Sequence, residues 1–412
     1  MNLGDMNKIL HHDLEVILFP EEGRLKAADN IRYIGEMSFY LGNRFRLKSI
    51  REGEKELGWD VLEKGKHTTR YKVKAEGEVR IEWEGKLDSY QGYQVCIIRE
   101  DLVELSGFGW WFPTMERQSQ LEDFTYELTV ELPEGWTCVT PGKRVGNKYI
   151  YHRGIEDIFL CASPKLNLYK RDFPMDYYIP ETLMEHSEVL IKDFLDSLEL
   201  CTEKFGDLKE ENGGTAVISP RGKDGAEWGF ERDGLWVVGD TFARYLIENH
   251  WKIKNRYKSL AMHETIHGWF GIGVDFEEPW LAEAITQYLE VILTAELWES
   301  PDLVRDYFED YRKRIKDDIS EKAINEYDIT ENMYTQWYLK GSWAFWDLEA
   351  VIKREELMDF LRDIYQNYLG KTISYRTFKE EFRKRFEIEN FLEHWFESGG
   401  FQPFSPGASC KT

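Results

Sequence analysis

The chain has 412 residues and a formal net charge of −23, and 42% of its residues are hydrophobic. This length exceeds what one ordinary hydrophobic core accommodates, so two domains are expected. The acidic charge argues against a nucleic-acid partner and against an anionic membrane surface, since both require a basic surface. An acidic surface favours cationic ligands such as peptide N-termini, although solubility alone also explains it.

The sequence carries no sign of export or membrane insertion. No apolar run reaches the length of a membrane span, and the N-terminus lacks the basic start and apolar core of a secretory signal. The five cysteines, at positions 96, 138, 161, 201 and 410, are widely spaced and form no C-x-x-C pair. This pattern argues against a disulfide framework and against a cysteine zinc site. A cytoplasmic protein without a membrane partner is therefore predicted.

Residues 1–175 are predicted to form an antiparallel β-sandwich-like domain. Short runs that alternate apolar and polar residues follow one another between turn signals, as in YKVKAEGEVRIEWEG and YELTVELPEG. The stretch PMDYYIP at residues 174–180 is typical of a linker.

Residues 176–402 are predicted to form a mostly helical domain. HSEVLIKDFLDSLELCTEKFG has helical spacing and ends at Gly206, whereas GGTAVISPRG and DGLWVVGD are predicted strands. From Asn255 onward, the predicted helices span 255–270, 279–297, 301–316, 340–353, 355–368, 375–385 and 389–397. The tail at 403–412 is rich in Pro, Ser and Gly, which predicts disorder. The fold class is thus α+β, with two domains.

The helix predicted at 255–270 contains an H-E-x-x-H motif formed by His263, Glu264 and His267. Residues four apart lie on one helical face, so both imidazoles can bind one metal ion. Zinc is the expected metal because it accepts neutral imidazole and keeps an open position for water in catalytic sites. Glu264 lies beside that position, where its carboxylate can take a proton from water. Two structural histidines would produce the same pattern, so a third ligand has to be found.

Glu283 is the candidate for the third protein ligand that a catalytic zinc needs. It lies early in EEPWLAEAITQYLE, where Pro279 and the preceding acids mark a helix start. Glu290 follows two turns later on roughly the same face, so it can hydrogen-bond one of the histidines without binding the metal. The alternative is that both glutamates are solvated, but apolar neighbours such as Trp280 indicate that this stretch packs inward.

The segments HETIHGWFG and PWLAEAITQYLE resemble the zinc aminopeptidases of the gluzincin clan, the group that includes alanyl aminopeptidase and leukotriene hydrolase. The likeness includes Trp269, Phe270 and Gly271 after the motif, and the W-L-x-E pattern that ends at Glu283. The loop between His267 and Glu283 is about three residues shorter than is usual in the family, a difference that a loop can absorb. GWWFPTME, FTYELTVELPEGWTCVTPGK and FLEHWFESGGFQP also agree, so the resemblance covers nearly the whole chain.

The resemblance implies a thermolysin-like catalytic domain and roles for two further segments. Tyr338, in YLKG, matches the tyrosine that donates a hydrogen bond to the oxyanion, and Tyr334 one turn away is the competing candidate. The segment GAEWG, with Gly225, Ala226 and Glu227, resembles the exopeptidase motif G-A-M-E-N, in which the glutamate binds the substrate's α-ammonium group. Because GAEWG lacks the Met and Asn of that motif, an ordinary loop acid stays the alternative for Glu227.

The resemblance therefore predicts a zinc metallo-aminopeptidase, with one zinc per chain, that removes N-terminal residues from peptide substrates. Two alternatives remain: a zinc endopeptidase with an open active site, and a non-catalytic interaction protein that retains the peptidase fold. The helical domain that roofs the active site in many relatives would begin about where this chain stops. A short form of the family is expected, with the site open or covered by a second subunit of a homo-oligomer.

Overall fold

The computed structural model describes residues 8–89, 96–115, 124–155, 157–170, 176–208, 215–223, 225, 229–232, 235–249, 260–317, 322–326, 334–388 and 390–401. The chain divides into two compact units, the first comprising residues 1–185 and 212–245 and the second residues 186–211 and 246–412. The tail at 403–412, predicted to be disordered, lies outside the described residues.

The first unit consists mainly of β-strands. In chain order they are β1 Lys8–Phe19, β2 Arg24–Ile34, β3 Ser38–Gly42, β4 Phe45–Glu52, β5 Lys55–Glu56, β6 Trp59–Lys64, β7 Thr68–Val73, β8 Val79–Lys86, β9 Ile97–Arg99, β10 Leu102–Leu105, β11 Phe124–Glu131, β12 Thr137–Val139, β13 Lys143–Val145, β14 Lys148–Ile155, β15 Leu160–Ser163, β16 Leu166–Lys170, β17 Asp176–Pro180, β18 Thr215–Ser219, β19 Gly229–Arg232 and β20 Leu235–Gly239.

These strands form four sheets within the described part of the first unit. An eight-stranded sheet has the order β13-β14-β11-β1-β2-β8-β4-β5 and is antiparallel except where β1 meets β11. A four-stranded sheet has the order β12-β15-β10-β9, and a three-stranded sheet has the order β3-β7-β6. Buried and half-buried residues alternate along β11, as the period of two along a strand requires. The predicted antiparallel, sandwich-like β region is confirmed.

The fourth sheet has five strands in the order β16-β17-β18-β20-β19, of which the central three run parallel. The predicted domain boundary at residue 175 falls between β16 and β17, and these two strands pair antiparallel. The division into domains at 1–175 and 176–402 stays a prediction from the sequence.

The second unit is mostly helical. Its helices and the two short strands that follow β20 are α1 Ser187–Phe205, α2 Asp240–Asn249 (which spans the division between the units), α3 Leu260–His267, β21 Asp275–Phe276, α4 Pro279–Leu297, α5 Asp302–Asp317, a π-helix at Tyr334–Lys340, α6 Gly341–Ile352, α7 Arg354–Tyr368, β22 Thr372–Ile373, α8 Tyr375–Arg385 and α9 Phe391–Phe396.

Helix α4 is the centre of this unit, because 15 of its 19 residues are buried. It begins with Pro279 at the first helical position, where the missing N–H costs nothing. Helices α3 and α6 and the π-helix all pack against it. Gly341 permits the close approach of α6 to α4, since a Cβ there would lie 2.6 Å from the Cβ of Ala284, the neighbour of Glu283.

The helices predicted from residue 279 onward are confirmed to within two residues at each end. Of the helix predicted at 255–270, the structure describes residues 260–270; α3 ends at His267, three residues earlier than predicted, before the glycine-containing stretch GWFGIG. Helix α2 and the π-helix were not expected. Among the described residues, no helix is long and apolar enough to cross a membrane. The four described cysteines are buried and free.

Candidate active site

The three predicted metal ligands come together at the contact between α3 and α4. Oε2 of Glu283 lies 3.6 Å from Nε2 of His263 and 3.5 Å from Nε2 of His267. The donor atoms of all three residues lie within 4.8 Å of one another. Helical geometry explains this convergence, because the histidines share one face of α3 and Glu283 lies in the first turns of α4.

This arrangement fits a zinc ion by an independent criterion. Oε2 of Glu283 is buried, yet it has no hydrogen-bond partner in the part of the chain that the structure describes. An unsatisfied buried carboxylate oxygen is costly unless a cation neutralises it. In a tetrahedral site with bonds of about 2.0–2.1 Å, neighbouring donor atoms lie about 3.4 Å apart, close to both spacings from Glu283 to the histidines. Two imidazoles and one carboxylate are also a known donor set for catalytic zinc.

Glu290 supports His263 from the side opposite the metal position. Nδ1 of His263 donates to Oε2 of Glu290 over 3.0 Å, and Glu290 is only 1% exposed. Because a carboxylate only accepts hydrogen bonds, this contact places a proton on Nδ1, so Nε2 is the nitrogen that would bind a metal ion. Such a partner orients a metal-binding histidine and raises its basicity. The burial of Glu290 excludes the alternative of a solvated helix acid.

The chain turn after α3 supports His267. Nδ1 of this ring lies 3.2 Å from the carbonyl oxygen of Phe270 and 3.4 Å from Oγ1 of Thr286. Gly271 makes the turn possible, because its φ of 134° suits glycine and a Cβ there would lie 3.1 Å from Nδ1. The second histidine is therefore held by neutral groups, one of them a backbone carbonyl.

The predicted catalytic residues lie on the elements that carry or contact these ligands. Glu264 follows His263 on α3 and is 4% exposed. The ring of Tyr338 stacks on His263, with 5.9 Å between ring centroids and 12° between planes. Tyr334 stacks on Tyr338, with 5.4 Å between their centroids. The ring of Tyr338 thus contacts a predicted ligand.

Burial and opposite charges shift the pKa values of the site in the absence of metal. Burial alone would lower the pKa of His263, but the carboxylates of Glu283 and Glu290 outweigh it and raise the pKa to about 10. Burial would raise the pKa of Glu283, whereas the neighbouring histidines hold it well below its usual range. Burial, reinforced by the Glu283 carboxylate, raises the pKa of Tyr338 well above that of a free phenol. Tyr338 is therefore a neutral hydrogen-bond donor at physiological pH.

The predicted exopeptidase segment belongs to the first unit. Gly225 is buried and its N–H donates to the carbonyl of Gly222 over 3.4 Å. Ala226 and Glu227 lie outside the described residues. Their predicted roles in substrate binding therefore stay predictions.

Three contacts around the ligands were not foreseen: the Phe270 carbonyl, the Thr286 hydroxyl, and the amide of Gln287, which bonds to Glu290. Gln287 lies one helical turn after Glu283, so its position on the same face could have been found from the spacing. The Phe270 carbonyl is a backbone group, and its direction depends on the turn that Gly271 permits.

Comparisons with known proteins bear on the family and the fold. Residues 230–395 match the model of the peptidase family M1 domain, so the match contains all three predicted ligands but not the segment at 225–229. A comparison with curated protein sequences finds no match.

Solved structures of M1 zinc peptidases share the fold. An M1 zinc metallopeptidase from Deinococcus radiodurans matches with a TM-score of 0.74 and 16% identity, over 98% of this chain and 96% of that one. A mutant of that peptidase bound to a Tyr-Ser-Ala substrate matches with a TM-score of 0.71 and 15% identity, over 98% and 97%.

Native leukotriene A4 hydrolase from Saccharomyces cerevisiae matches with a TM-score of 0.70 and 14% identity, over 97% of this chain and 69% of that one. At these identities the likeness to solved structures establishes the fold. The assignment to a family rests on the match to the family model and on the ligand motifs. Residues 230–395 therefore match a peptidase family M1 domain, and the chain shares its fold with solved zinc metallopeptidases, which confirms its resemblance to the gluzincin aminopeptidase family.

Proposed function

We propose that the protein is a zinc aminopeptidase that hydrolyses the first peptide bond of peptide substrates. The observation that carries the zinc chemistry is the convergence of three donor atoms: the buried Oε2 of Glu283, which has no hydrogen bond to the described residues, lies 3.6 and 3.5 Å from Nε2 of His263 and His267. A complete ligand set beside a buried glutamate base has no use in a scaffold, so the alternative of a non-catalytic interaction protein is disfavoured.

His263, His267 and Glu283 would hold one zinc ion, with Glu290 orienting His263. When bound, zinc lowers the pKa of a water molecule towards neutrality and polarises the scissile carbonyl. The protein's contribution is to keep the three donor atoms converged and to leave one position open.

Glu264 and Tyr338 would carry out the proton transfer and the charge stabilisation. The Glu264 carboxylate takes a proton from the attacking water and returns it to the leaving amine. The Tyr338 hydroxyl donates a hydrogen bond to the carbonyl oxygen as negative charge develops there. A phenol keeps its proton at neutral pH, so this hydroxyl is available as a donor. The stacking of Tyr338 on His263 supports this role over Tyr334.

The restriction to N-terminal residues would come from Glu227, with Gly225 and Ala226 beside it. A carboxylate at that position pairs with the α-ammonium group of the substrate and sets its distance from the scissile bond. The support is the resemblance of GAEWG to the exopeptidase motif. If Glu227 does not bind the amine, the endopeptidase with an open site is the second candidate. The same proposal includes peptides as substrates and a cytoplasmic location. It also includes a homo-oligomer that covers the site.

Acetylation of the substrate N-terminus separates the two peptidase candidates. An aminopeptidase should cleave a peptide with a free N-terminus far faster than its acetylated form, because the acetyl group removes the charge that Glu227 binds. Glu227→Ala should lower kcat/KM for the free-amine peptide by roughly 30- to 160-fold, the equivalent of about 2–3 kcal/mol for a lost charged hydrogen bond.

The same variant should have little effect on the acetylated peptide. Glu181→Ala, at an exposed glutamate of the same unit, is the matched control and should leave both rates unchanged. Rapid internal cleavage of acetylated peptides by the unmodified protein would overturn the aminopeptidase proposal and favour the endopeptidase.

A further inference from the structure

Gln287 is a buried amide in the middle of α4, only 1% exposed, one turn after Glu283 and one turn before Glu290. Its Nε2 donates to Oε2 of Glu290 over 2.6 Å. That same oxygen accepts the hydrogen bond from Nδ1 of His263. The other oxygen of Glu290, Oε1, is buried and has no hydrogen-bond partner among the residues that the structure describes.

We infer that Gln287 is a positioning residue for the zinc site: it fixes the Glu290 carboxylate, and the carboxylate fixes the His263 ring. The inference rests on the proposed zinc-binding role of His263 and deepens it. Two donors on one oxygen determine the rotation of the carboxylate, whereas one donor leaves it free to turn. The direction in which Nε2 points at the metal therefore depends on the amide of Gln287.

Packing alone does not account for a glutamine at this place. Most buried residues of α4 are apolar, and burying an amide is costly unless it is hydrogen-bonded. An unbranched apolar side chain of similar length would fill the same volume without that cost. Such an apolar side chain could not donate a hydrogen bond to Glu290. Oε2 of the buried Glu290 carboxylate would then have His263 as its single donor.

The test measures zinc binding rather than hydrolysis. Metal-free Gln287→Met is titrated with zinc against a competing chelator, at one pH, beside the unmodified protein. We expect its zinc dissociation constant to rise about tenfold, at the lower end of the 10- to 100-fold effects known for groups that support metal-binding residues. Gln336→Met is the matched control, because Gln336 is also a buried glutamine of this unit, 2% exposed. The zinc affinity of this variant should equal that of the unmodified protein.

A double-mutant cycle distinguishes positioning from a general structural role. If Gln287 acts through Glu290, then Gln287→Met should weaken zinc binding no further in a Glu290→Gln background. Additive effects, or an unchanged dissociation constant in folded Gln287→Met, would overturn the inference. Should the Met variant fail to fold, Gln287→Asn keeps a buried amide that is too short to reach Glu290, and it should weaken zinc binding in the same way. Failure of the unmodified protein to bind zinc would instead overturn the zinc site itself.

Discussion

The two histidines of α3 share one face of the helix but have unlike surroundings. His263 faces a buried negative charge, Glu290, which is itself bonded to Gln287. His267 faces the carbonyl of Phe270 and the hydroxyl of Thr286, both neutral. One ligand is therefore held by a chain of side chains on α4 and the other largely by the course of the backbone. The expected sensitivity to substitution differs accordingly, although both rings are proposed to bind the same ion.

The largest expected effect, loss of zinc on replacing a histidine, is the same for His263 and His267 despite their different surroundings. His263→Ala and His267→Ala should each abolish stable zinc binding and hydrolysis, because either change leaves only two protein ligands. Metal content after dialysis, measured by mass spectrometry, checks this result. If one variant kept stoichiometric zinc, the histidine replaced in that variant would not be a required ligand, and its place in the proposed site would be wrong.

Glu264→Gln should separate metal binding from chemistry. The variant should keep its zinc and its thermal stability but lose roughly 10²- to 10⁴-fold in kcat, because an amide cannot accept the proton of the attacking water. Steady-state kinetics with a free-amine peptide, together with zinc content, decide the matter. Turnover close to that of the unmodified protein would remove Glu264 from the role of general base.

Tyr338→Phe tests the ring that stacks on His263. Loss of the hydroxyl should lower kcat on the order of a hundred-fold with little change in KM, the usual effect of losing one oxyanion donor. Tyr334→Phe is the matched control one turn away and should have a much smaller effect. A reversal of the two results would exchange their roles and place the donor further from the His263 ring.

The smallest effects sharpen the comparison between the histidines directly. Glu290→Gln should weaken zinc binding by about 10- to 100-fold, because it removes a buried charge that supports His263. Thr286→Val should weaken it by less, because the Phe270 carbonyl still holds Nδ1 of His267. Chelator competition on both metal-free variants measures the difference. Equal losses would show that neutral support is as important as charged support.

The contrast between side-chain support of His263 and backbone support of His267 explains which parts of the site could be predicted from the sequence. The histidine pair, Glu283 and Glu290 follow from helical periodicity, and α4 begins and ends at the predicted residues, 279 and 297. A bond from Glu290 to one of the histidines was likewise expected, because a residue two turns after Glu283 lies on the same face, but the sequence did not say which histidine.

The support of His267 was not predictable in this way. It depends on a turn in which Gly271 takes a positive φ and brings the Phe270 carbonyl to the ring. The π-helix at Tyr334–Lys340 was also missed, because a wider helical turn leaves no distinct hydrophobic pattern. The role of Glu227 stays a prediction, since the residue lies outside the described part of the chain.

The central claim is that His263, His267 and Glu283 hold a single zinc ion. The most direct measurement is a crystal structure of the zinc-loaded protein, with the metal identified by anomalous scattering at the zinc edge. The account predicts one zinc per chain, bound by Nε2 of both histidines and by Glu283 at about 2.0–2.2 Å, with a water molecule in the remaining position. Zinc bound to Glu278 or Glu290, with the Glu283 carboxylate turned to solvent, would contradict it.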